Sequence, residues 1–284
     1  MLIETDSRQP EAGTRPAEKD NRPSQLRKRI NAGFTAARTP VCTPRLSWYL
    51  PFKAALDVTA ALMLLVLTAP LILVAALLVK LTSSGPAFYT QTRVGRRGRL
   101  FTIYKIRTMI HNCESLTGPR WSMPGDPRVT CVGWLLRVSH LDELPQLWNV
   151  LRGEMSLIGP RPERPEFVPE LERALPAYRQ RLSVRPGVTG LAQVQLPPDT
   201  DLNSARKKLA YDLWYVHKRG FWLDLRILLA TGLHVFGIPA GAIRVLLCLP
   251  RAEPVERAYR EMVPEPPAAP TTPIPGAAPV QVVL

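Results

Sequence analysis

Two adjacent carboxylates, Asp142 and Glu143, open an apolar run in the stretch SHLDELPQLWNVLRGEMSLIGPRP. Ser139 lies three residues before Asp142, which is the spacing of a capping box and predicts that both acids lie in the first turn of a helix. Acidic side chains at that position stabilise the helix by about 0.3–1 kcal/mol through its dipole and need no further role. The same pair could instead supply a nucleophile and a metal ligand. These residues alone leave both interpretations open.

Five cations placed at turns and element ends favour phosphate binding near this pair: Lys105, Arg107, Arg137, Arg161 and Arg185. Arginine presents paired donors that match phosphate oxygens, although each cation taken singly is more often a surface charge. A carboxylate among such cations is expected to stay ionised and to be available as a nucleophile. Its neighbour can then hold Mg²⁺, which binds carboxylate and phosphate oxygens.

The overall charge predicts an anionic partner, because 37 Lys and Arg face 23 Asp and Glu, a formal net charge of +14. Nucleic acid, an anionic membrane surface and a phosphorylated substrate are the candidate partners. No helix-turn-helix or RNA-binding signature accompanies the basic residues, so we expect no nucleic acid.

The four cysteines have neither disulfide-framework nor zinc-site spacing, which fits a reducing compartment. Residues 1–50 lack the apolar run of a secretory signal.

An apolar segment between Lys53 and Lys80 predicts a membrane helix of about 39 Å, longer than the ~30 Å hydrocarbon core of a bilayer. Hydropathy alone favours a single transmembrane anchor. Pro70 near its middle predicts a break, and Thr68 can cap a freed carbonyl. Both flanks are basic, which places both ends on the same side of the membrane. We therefore expect a re-entrant helix-break-helix over residues 53–80.

The remaining pattern predicts an α+β fold that is mostly helical. Residues 83–109 have the pattern of turn, strand, basic turn and strand, and helical periodicity marks residues 131–138, 144–152, 203–219 and 221–236. Trp214, Tyr215, Phe221 and Trp222 fit either a helix at a membrane interface or the packing of a core. The predicted domains are a disordered basic arm at 1–52, the membrane hairpin at 53–80, a catalytic domain at 81–249 and a disordered Pro/Ala-rich tail at 250–284.

From Lys53 to about Phe236 the chain resembles the bacterial sugar transferases. These are monotopic polyprenyl-phosphate phosphoglycosyl transferases that begin exopolysaccharide, O-antigen and glycan assembly. The matching motifs are KAALDVTAA, SSGPAFYTQTRVGRRGRLFTIYKIRTM, DPRVTCVGWLLR, LDELPQLWNVLRGEMSLIGPRP and RPGVTGLAQV. The resemblance implies that Asp142 is the covalent nucleophile and that Glu143 takes part in Mg²⁺ coordination. It also implies that Lys105, Arg107, Arg137, Arg161 and Arg185 lie near the phosphates or the uridine.

The resemblance further implies a two-step reaction at the cytoplasmic face of a bacterial inner membrane. Asp142 would attack the β-phosphorus of a UDP-sugar and expel UMP, and polyprenyl phosphate would then take the phosphosugar. The family breaks its re-entrant helix at a Ser-Pro pair, where this chain has Ala69-Pro70. Residues 1–52 do not carry the four extra helices of the long family members, which predicts a short form. The resemblance also allows a homo-oligomer.

Two rival functions remain. Residues 199–201 read DTD, the DxD metal motif of nucleotide-sugar glycosyltransferases, which release UDP rather than UMP. The charge and the basic arm also suit a non-catalytic membrane scaffold. Such a scaffold would tolerate Asp142→Asn, whereas a transferase that uses Asp142 would not.

Overall fold

The computed structural model describes residues 48–114, 125–198 and 201–263. Within these residues it contains eight α-helices and two two-stranded sheets. The helices are α1 (Tyr49–Thr82), α2 (Cys131–Val138), α3 (Leu147–Leu151), α4 (Val168–Ala174), α5 (Leu202–Lys218), α6 (Phe221–Val235), α7 (Ala240–Leu246) and α8 (Ala252–Met262). The strands are β1 (Phe88–Val94), β2 (Leu100–Ile106), β3 (Ser156–Ile158) and β4 (Gly187–Thr189). The mostly helical α+β class is confirmed.

Strands β1 and β2 form an antiparallel hairpin in which Val94 lies opposite Leu100. The hairpin turns through Arg97 and Gly98, both in the left-handed region with φ of 55° and 74°. Gly98 fits such a backbone at little cost, and Arg97 is exposed there. This arrangement confirms the predicted strand, basic turn and strand.

Strands β3 and β4 form a short parallel pair that brings the GPRP and RPGVTG segments together. A Cβ added to Gly187 would lie 2.1 Å from the backbone nitrogen of Gly159, and one added to Gly190 would lie 2.1 Å from the Gly159 oxygen. Only glycine permits backbones to approach this closely. The glycines of both motifs are therefore required for packing.

Helix α1 is a single helix of 34 residues that continues through Pro70. The predicted interruption into two helices is not seen, and the re-entrant arrangement stays a prediction. Proline at this position removes one backbone hydrogen bond, and the Thr68 hydroxyl donates to the Leu64 carbonyl at 2.7 Å. By length and composition α1 is the one helix among the described residues that could cross a membrane.

The first turns of α1 dock on the rest of the protein through buried polar contacts. The Lys53 ammonium lies 2.6 Å from Asp224 Oδ2, and the Tyr49 hydroxyl donates to the same oxygen. One turn later, Asp57 Oδ2 accepts from the Ser156 hydroxyl at 2.6 Å. These contacts fasten the start of α1 to α6 and β3.

The last turns of α1 dock on the same body through apolar contacts. Ile72, Ala75 and Val79 form a buried cluster with Ile106 of β2 and Leu136 of α2. Between the two docked ends, apolar side chains such as Leu67, which is 74% exposed, face outward. Helix α1 therefore lies along the domain with one side packed and one side exposed.

The C-terminal helix α8 contradicts part of the predicted tail at 250–284. It packs on α5 through the buried side chains of Val255 and Tyr259, and Arg206 forms an ion pair with Glu256 at 3.2 Å. The prolines around residues 250–275 led to the prediction of a disordered tail, although Ala252–Met262 is strongly amphipathic.

At the other end of the domain, α1 begins inside the predicted arm, at Tyr49. Residues 1–47 and 264–284 lie outside the described residues.

The aromatic residues of α5 and α6 divide between the two predicted environments. Tyr215 is buried and its hydroxyl donates to the Ile158 carbonyl at 3.1 Å, so it packs the core. Trp222 is 69% exposed at the start of α6. Helices α6 and α7 are separated near residues 236–239, so residues 221–249 do not form one long helix.

Candidate active site

The acidic pair lies in the first turn of a 3-10 helix, Leu141–Gln146. His140 precedes it in the left-handed conformation with φ of 57°, which turns the chain sharply after α2. The capping-box interpretation is wrong, because the Ser139 hydroxyl donates back to the Leu135 carbonyl of α2 at 2.8 Å. His140, not Ser139, is the N-cap residue of the 3-10 helix, and no side chain caps it. Asp142 and Glu143 are nevertheless in a first helical turn, as predicted.

Glu143 joins two of the predicted cations. Its Oε1 lies 2.7 Å from Lys105 Nζ and 2.5 Å from Arg161 Nη2, while Oε2 accepts from Arg161 Nη1 at 3.2 Å. Lys105 comes from β2, which packs against the 3-10 helix, and Arg161 comes from the segment after β3. Three separate parts of the chain thus meet at one carboxylate.

The surroundings of Glu143 determine its ionisation. Burial alone would raise its pKa, but the charges of Arg161 and Lys105 and their hydrogen bonds outweigh burial. The pKa of Glu143 therefore lies well below its usual range, and this carboxylate is ionised at neutral pH.

Asp142 has the opposite shift. Burial and the adjacent charge of Glu143 raise its pKa to about 6, against the lowering effects of Lys105, Arg161 and Arg137. The cations therefore do not fully offset burial and the charge of Glu143. Glu143 takes up their hydrogen bonds, and Asp142 is 7% exposed without an equivalent ion pair among the described residues. At neutral pH most of Asp142 is still ionised.

The other three predicted cations occupy different surroundings. Arg137 donates to Thr108 Oγ1 at 2.9 Å and is close enough to lower the pKa of Asp142. Arg107 is buried and donates to the backbone carbonyls of residues 83, 84 and 86 at 2.6–3.0 Å, so its contacts are those of a residue that holds a turn. Arg185 lies near Gly153 and Arg96.

Residues that the sequence did not single out hold this arrangement in place. Arg181 is buried, binds Asp212 through Nε at 2.9 Å, and donates from Nη2 to the Arg161 carbonyl at 2.9 Å. Asn149 is fully buried and bonds the backbone of β2 on both sides of Ile103. An asparagine inside the apolar run LWNVL was the available signal for Asn149. Arg181 had no comparable signal, because its partner lies 31 residues away.

The donor set fits a Mg²⁺ ion only in part. The described residues contain no group of three or more His, Cys, Asp or Glu side chains that could hold a metal alone. Mg²⁺ usually takes one or two carboxylates together with substrate phosphates, and Asp142 with Glu143 supplies that number. Both oxygens of Glu143 contact cations here, so Glu143 would have to exchange those partners as phosphates arrive.

Comparison with known proteins places this arrangement in a family. The family model described as "Bacterial sugar transferase" matches residues 48–237, which include α1, the acidic pair and both glycine motifs. The chain belongs to the bacterial sugar transferase family. Helices α7 and α8 lie beyond the matched region of this sugar transferase.

Named relatives agree with this assignment. A UDP-N-acetylgalactosamine-undecaprenyl-phosphate N-acetylgalactosaminephosphotransferase of Aeromonas hydrophila is 44% identical over 183 residues, covering 64% of this chain and 43% of that protein. A UDP-glucose:undecaprenyl-phosphate glucose-1-phosphate transferase of Caulobacter vibrioides is 47% identical over 181 residues, covering 63% of this chain and 67% of the relative. The exopolysaccharide production protein PSS of Rhizobium leguminosarum bv. phaseoli is 40% identical over 187 residues, covering 64% and 94%. The sugar transferase thus spans less than half of the first of these relatives.

Proposed function

We propose that this protein transfers a sugar 1-phosphate from a UDP-sugar to a polyprenyl phosphate such as undecaprenyl phosphate. The observation that carries the proposal is the buried Asp142 beside Glu143, with Lys105 and Arg161 converging on the pair. The names of relatives, which include undecaprenyl-phosphate glucose, galactose and N-acetylgalactosamine transferases, support the same reaction type. The reaction would begin exopolysaccharide or other glycan assembly.

In the first step, a carboxylate oxygen of Asp142 attacks the β-phosphorus of the UDP-sugar. The bond between that phosphorus and the oxygen bridging to the α-phosphorus breaks, and UMP leaves with the bridging oxygen. In the second step, a phosphate oxygen of polyprenyl phosphate attacks the same phosphorus. Asp142 is released as a carboxylate, and the product is a polyprenyl diphosphate sugar.

Lys105 and Arg161 would stabilise negative charge on the transferring phosphoryl group once it displaces Glu143 from their donors. Arg137 would stabilise the ionised form of Asp142 through its charge. A Mg²⁺ ion held by Glu143 and substrate phosphates would neutralise phosphate charge. Burial of Asp142 leaves its carboxylate poorly solvated, which favours its use as a nucleophile.

The site would operate at the cytoplasmic face of the bacterial inner membrane. Both ends of α1 dock on the domain that carries Asp142, and basic residues flank both ends. These features support a re-entrant helix, because a spanning helix would separate its two ends by a bilayer.

Labelling of Trp48→Cys and Ser83→Cys in a cysteine-free chain tests the topology. With an impermeant maleimide on intact spheroplasts, a re-entrant helix leaves both cysteines unlabelled, whereas a spanning helix exposes one.

The reaction is tested by the nucleotide that it releases. Membranes with the full chain are incubated with a panel of UDP-sugars, Mg²⁺ and undecaprenyl phosphate, beside Asp142→Asn and a Glu253→Gln control at an exposed position on α8. We expect UMP from the wild type and the control and none from Asp142→Asn. Release of UDP would favour the DxD alternative instead.

The structure offers one observation against the DxD alternative. The Asp201 side chain caps α5 by accepting a hydrogen bond from the Ser204 backbone nitrogen at 2.7 Å, and residues 199 and 200 lie outside the described residues.

A further inference from the structure

Five arginines from three parts of the chain form a group that is distinct from Lys105 and Arg161, the cations that contact Glu143. Arg96, Arg97 and Arg99 come from the turn between β1 and β2, Arg185 precedes β4, and Arg219 directly follows α5 as its C-cap residue. These five residues are called the arginine cluster. Arg96, Arg97 and Arg99 are exposed, whereas Arg185 and Arg219 are partly buried.

Packing brings the hairpin turn of the cluster against the segment that carries Arg185. The Arg96 guanidinium donates from Nε to the Ser183 carbonyl at 3.2 Å, which places the hairpin turn against the segment that carries Arg185. Burial lowers the pKa of Arg96, and the positive charges of Arg97, Arg185, Arg219 and Arg99 lower it further. The other four arginines are therefore near enough to Arg96 to repel its guanidinium.

The cluster has no carboxylate to balance it. Within the described ranges, none of its five members forms an ion pair with Asp or Glu. Nine other described arginines do: Arg93, Arg128, Arg152, Arg161, Arg164, Arg179, Arg181, Arg206 and Arg257. The charge of Asp224 acts on Arg219, but Asp224 already pairs with Lys53. An anion from outside the chain would relieve this repulsion.

The cluster borders an exposed group of aromatic rings at the start of α1. Arg219 is followed after one glycine by Phe221 and Trp222, whose ring centroids lie 5.3 Å apart. Phe221 also contacts Phe52 at 6.1 Å, and Phe52 contacts Trp48 at 5.8 Å. Trp48 and Trp222 are 72% and 69% exposed. Exposed tryptophans next to arginines are typical of the headgroup level of a bilayer.

We propose that the arginine cluster binds the phosphate group of an anionic phospholipid of the bilayer. Guanidinium groups match phosphate oxygens in paired geometry, and arginines near the headgroup level attract anionic lipids. Arg185 is the one member that also belongs to the predicted substrate-phosphate cations, and the other four lie outside that set. The inference rests on the proposed membrane attachment but not on the transfer chemistry.

The test measures lipid binding by thermal unfolding of the detergent-solubilised full chain. Dihexanoyl phosphatidylglycerol and dihexanoyl phosphatidylcholine are titrated below their micellar concentrations, with inorganic phosphate as a third probe. We expect a saturable rise in Tm with phosphatidylglycerol only, weakened by salt. Arg97→Gln with Arg219→Gln should weaken the apparent affinity at least tenfold. The matched control Arg173→Gln with Arg260→Gln removes the same charge from exposed positions on α4 and α8 and should bind as the wild type does.

Arg97→Gln alone keeps the test valid if the double variant unfolds, because Arg97 is exposed in a turn and should weaken binding with an unchanged starting Tm. Equal shifts with phosphatidylcholine would overturn the proposal, as would equal weakening in the control. Saturation by inorganic phosphate at the same concentrations would also overturn it, since the ligand would then be free phosphate. The assay contains no UDP-sugar, so its result does not depend on the proposed reaction.

Discussion

Asp142 and Glu143 are adjacent in the chain, yet the pKa of the first carboxyl is raised to about 6 and that of the second is held well below its usual range. The difference arises because Lys105 and Arg161 direct their hydrogen bonds to Glu143. Asp142 is also buried, and the surrounding positive charge offsets the effect of its burial only in part. One residue of the pair is a stable ion-pair partner, and the other is an incompletely compensated buried acid.

Replacing Asp142 with Asn should abolish transfer and stabilise the fold. An acid with a raised folded-state pKa loses folding free energy as pH rises from its unfolded pKa near 4 to its folded pKa near 6, so at pH 7 its ionised form is destabilising. We expect Asp142→Asn to gain about 1–3 kcal/mol at pH 7. Thermal unfolding at pH 4 and pH 7 measures this gain, which should be small at pH 4. If the Tm of Asp142→Asn at pH 7 is equal to or lower than that of the wild type, the ionised Asp142 carboxylate does not destabilise the fold.

The pH dependence of transfer should report the same group. If ionised Asp142 attacks phosphorus, kcat/KM for the UDP-sugar rises with pH through about 6 and then levels off. Arg137→Gln removes a charge that favours the ionised form, so the break should move to higher pH. The control Arg173→Gln should leave it in place. A break that does not move in Arg137→Gln would assign the titration to another group.

Arg107 should affect stability rather than substrate use. Arg107→Met leaves up to three carbonyls of the turn at residues 83–86 without their donor, which should cost about 1–3 kcal/mol. The KM for the UDP-sugar should be unchanged. Lys105→Met, by contrast, should lower kcat/KM. Steady-state kinetics and Tm of the two variants distinguish these roles, and a raised KM with an unchanged Tm in Arg107→Met would restore the predicted phosphate contact.

Lys53 should be essential for docking the start of α1. Lys53→Met leaves the buried Asp224 without its cation, which typically costs about 3–5 kcal/mol. Adding Asp224→Asn should recover much of the loss, because the unpaired charge is then removed. Urea unfolding of the single and double variants measures the coupling. Additive effects would show that the two side chains act independently.

Truncation should show that α8 belongs to the folded domain. A chain ending at Leu249 loses the buried side chains of Val255 and Tyr259, each of which stabilises by about 1.5–3 kcal/mol. Its Tm should fall clearly, whereas a chain ending at Val263 should match the full length. Identical Tm values for both truncations would mean that α8 contributes nothing to stability.

The β1–β2 hairpin and most helices were predictable because their signals are local, whereas the short strands β3 and β4 were not predicted. The β1–β2 hairpin follows from a basic Gly-containing turn between aromatic and β-branched residues, and α5 and α6 follow from helical periodicity. Helix α8 was missed because surrounding prolines dominated the composition. The amphipathic pattern of Ala252–Met262 became interpretable only once α5 was known to provide its partner surface.

Within the site, the types of residue were predictable and their pairings were not. A motif places Lys105 and Arg107 two residues apart, but only the packing of β2 decides which one meets Glu143 and which one meets the carbonyls after α1. The same limit applies to Asp142, since its burial depends on segments distant in sequence. The contact between Arg185 and a substrate phosphate likewise stays a prediction. In the structure, Arg185 belongs to the arginine cluster.

The docking of both ends of α1 has a mechanical consequence. A membrane helix that is attached to its domain at one end alone can change its tilt independently of that domain. Helix α1 is fastened to the same domain at Lys53 and at Val79, so a change in its tilt must rotate the whole domain. The tilt and depth of α1 in the bilayer would then set the height of Asp142 relative to the lipid phosphates.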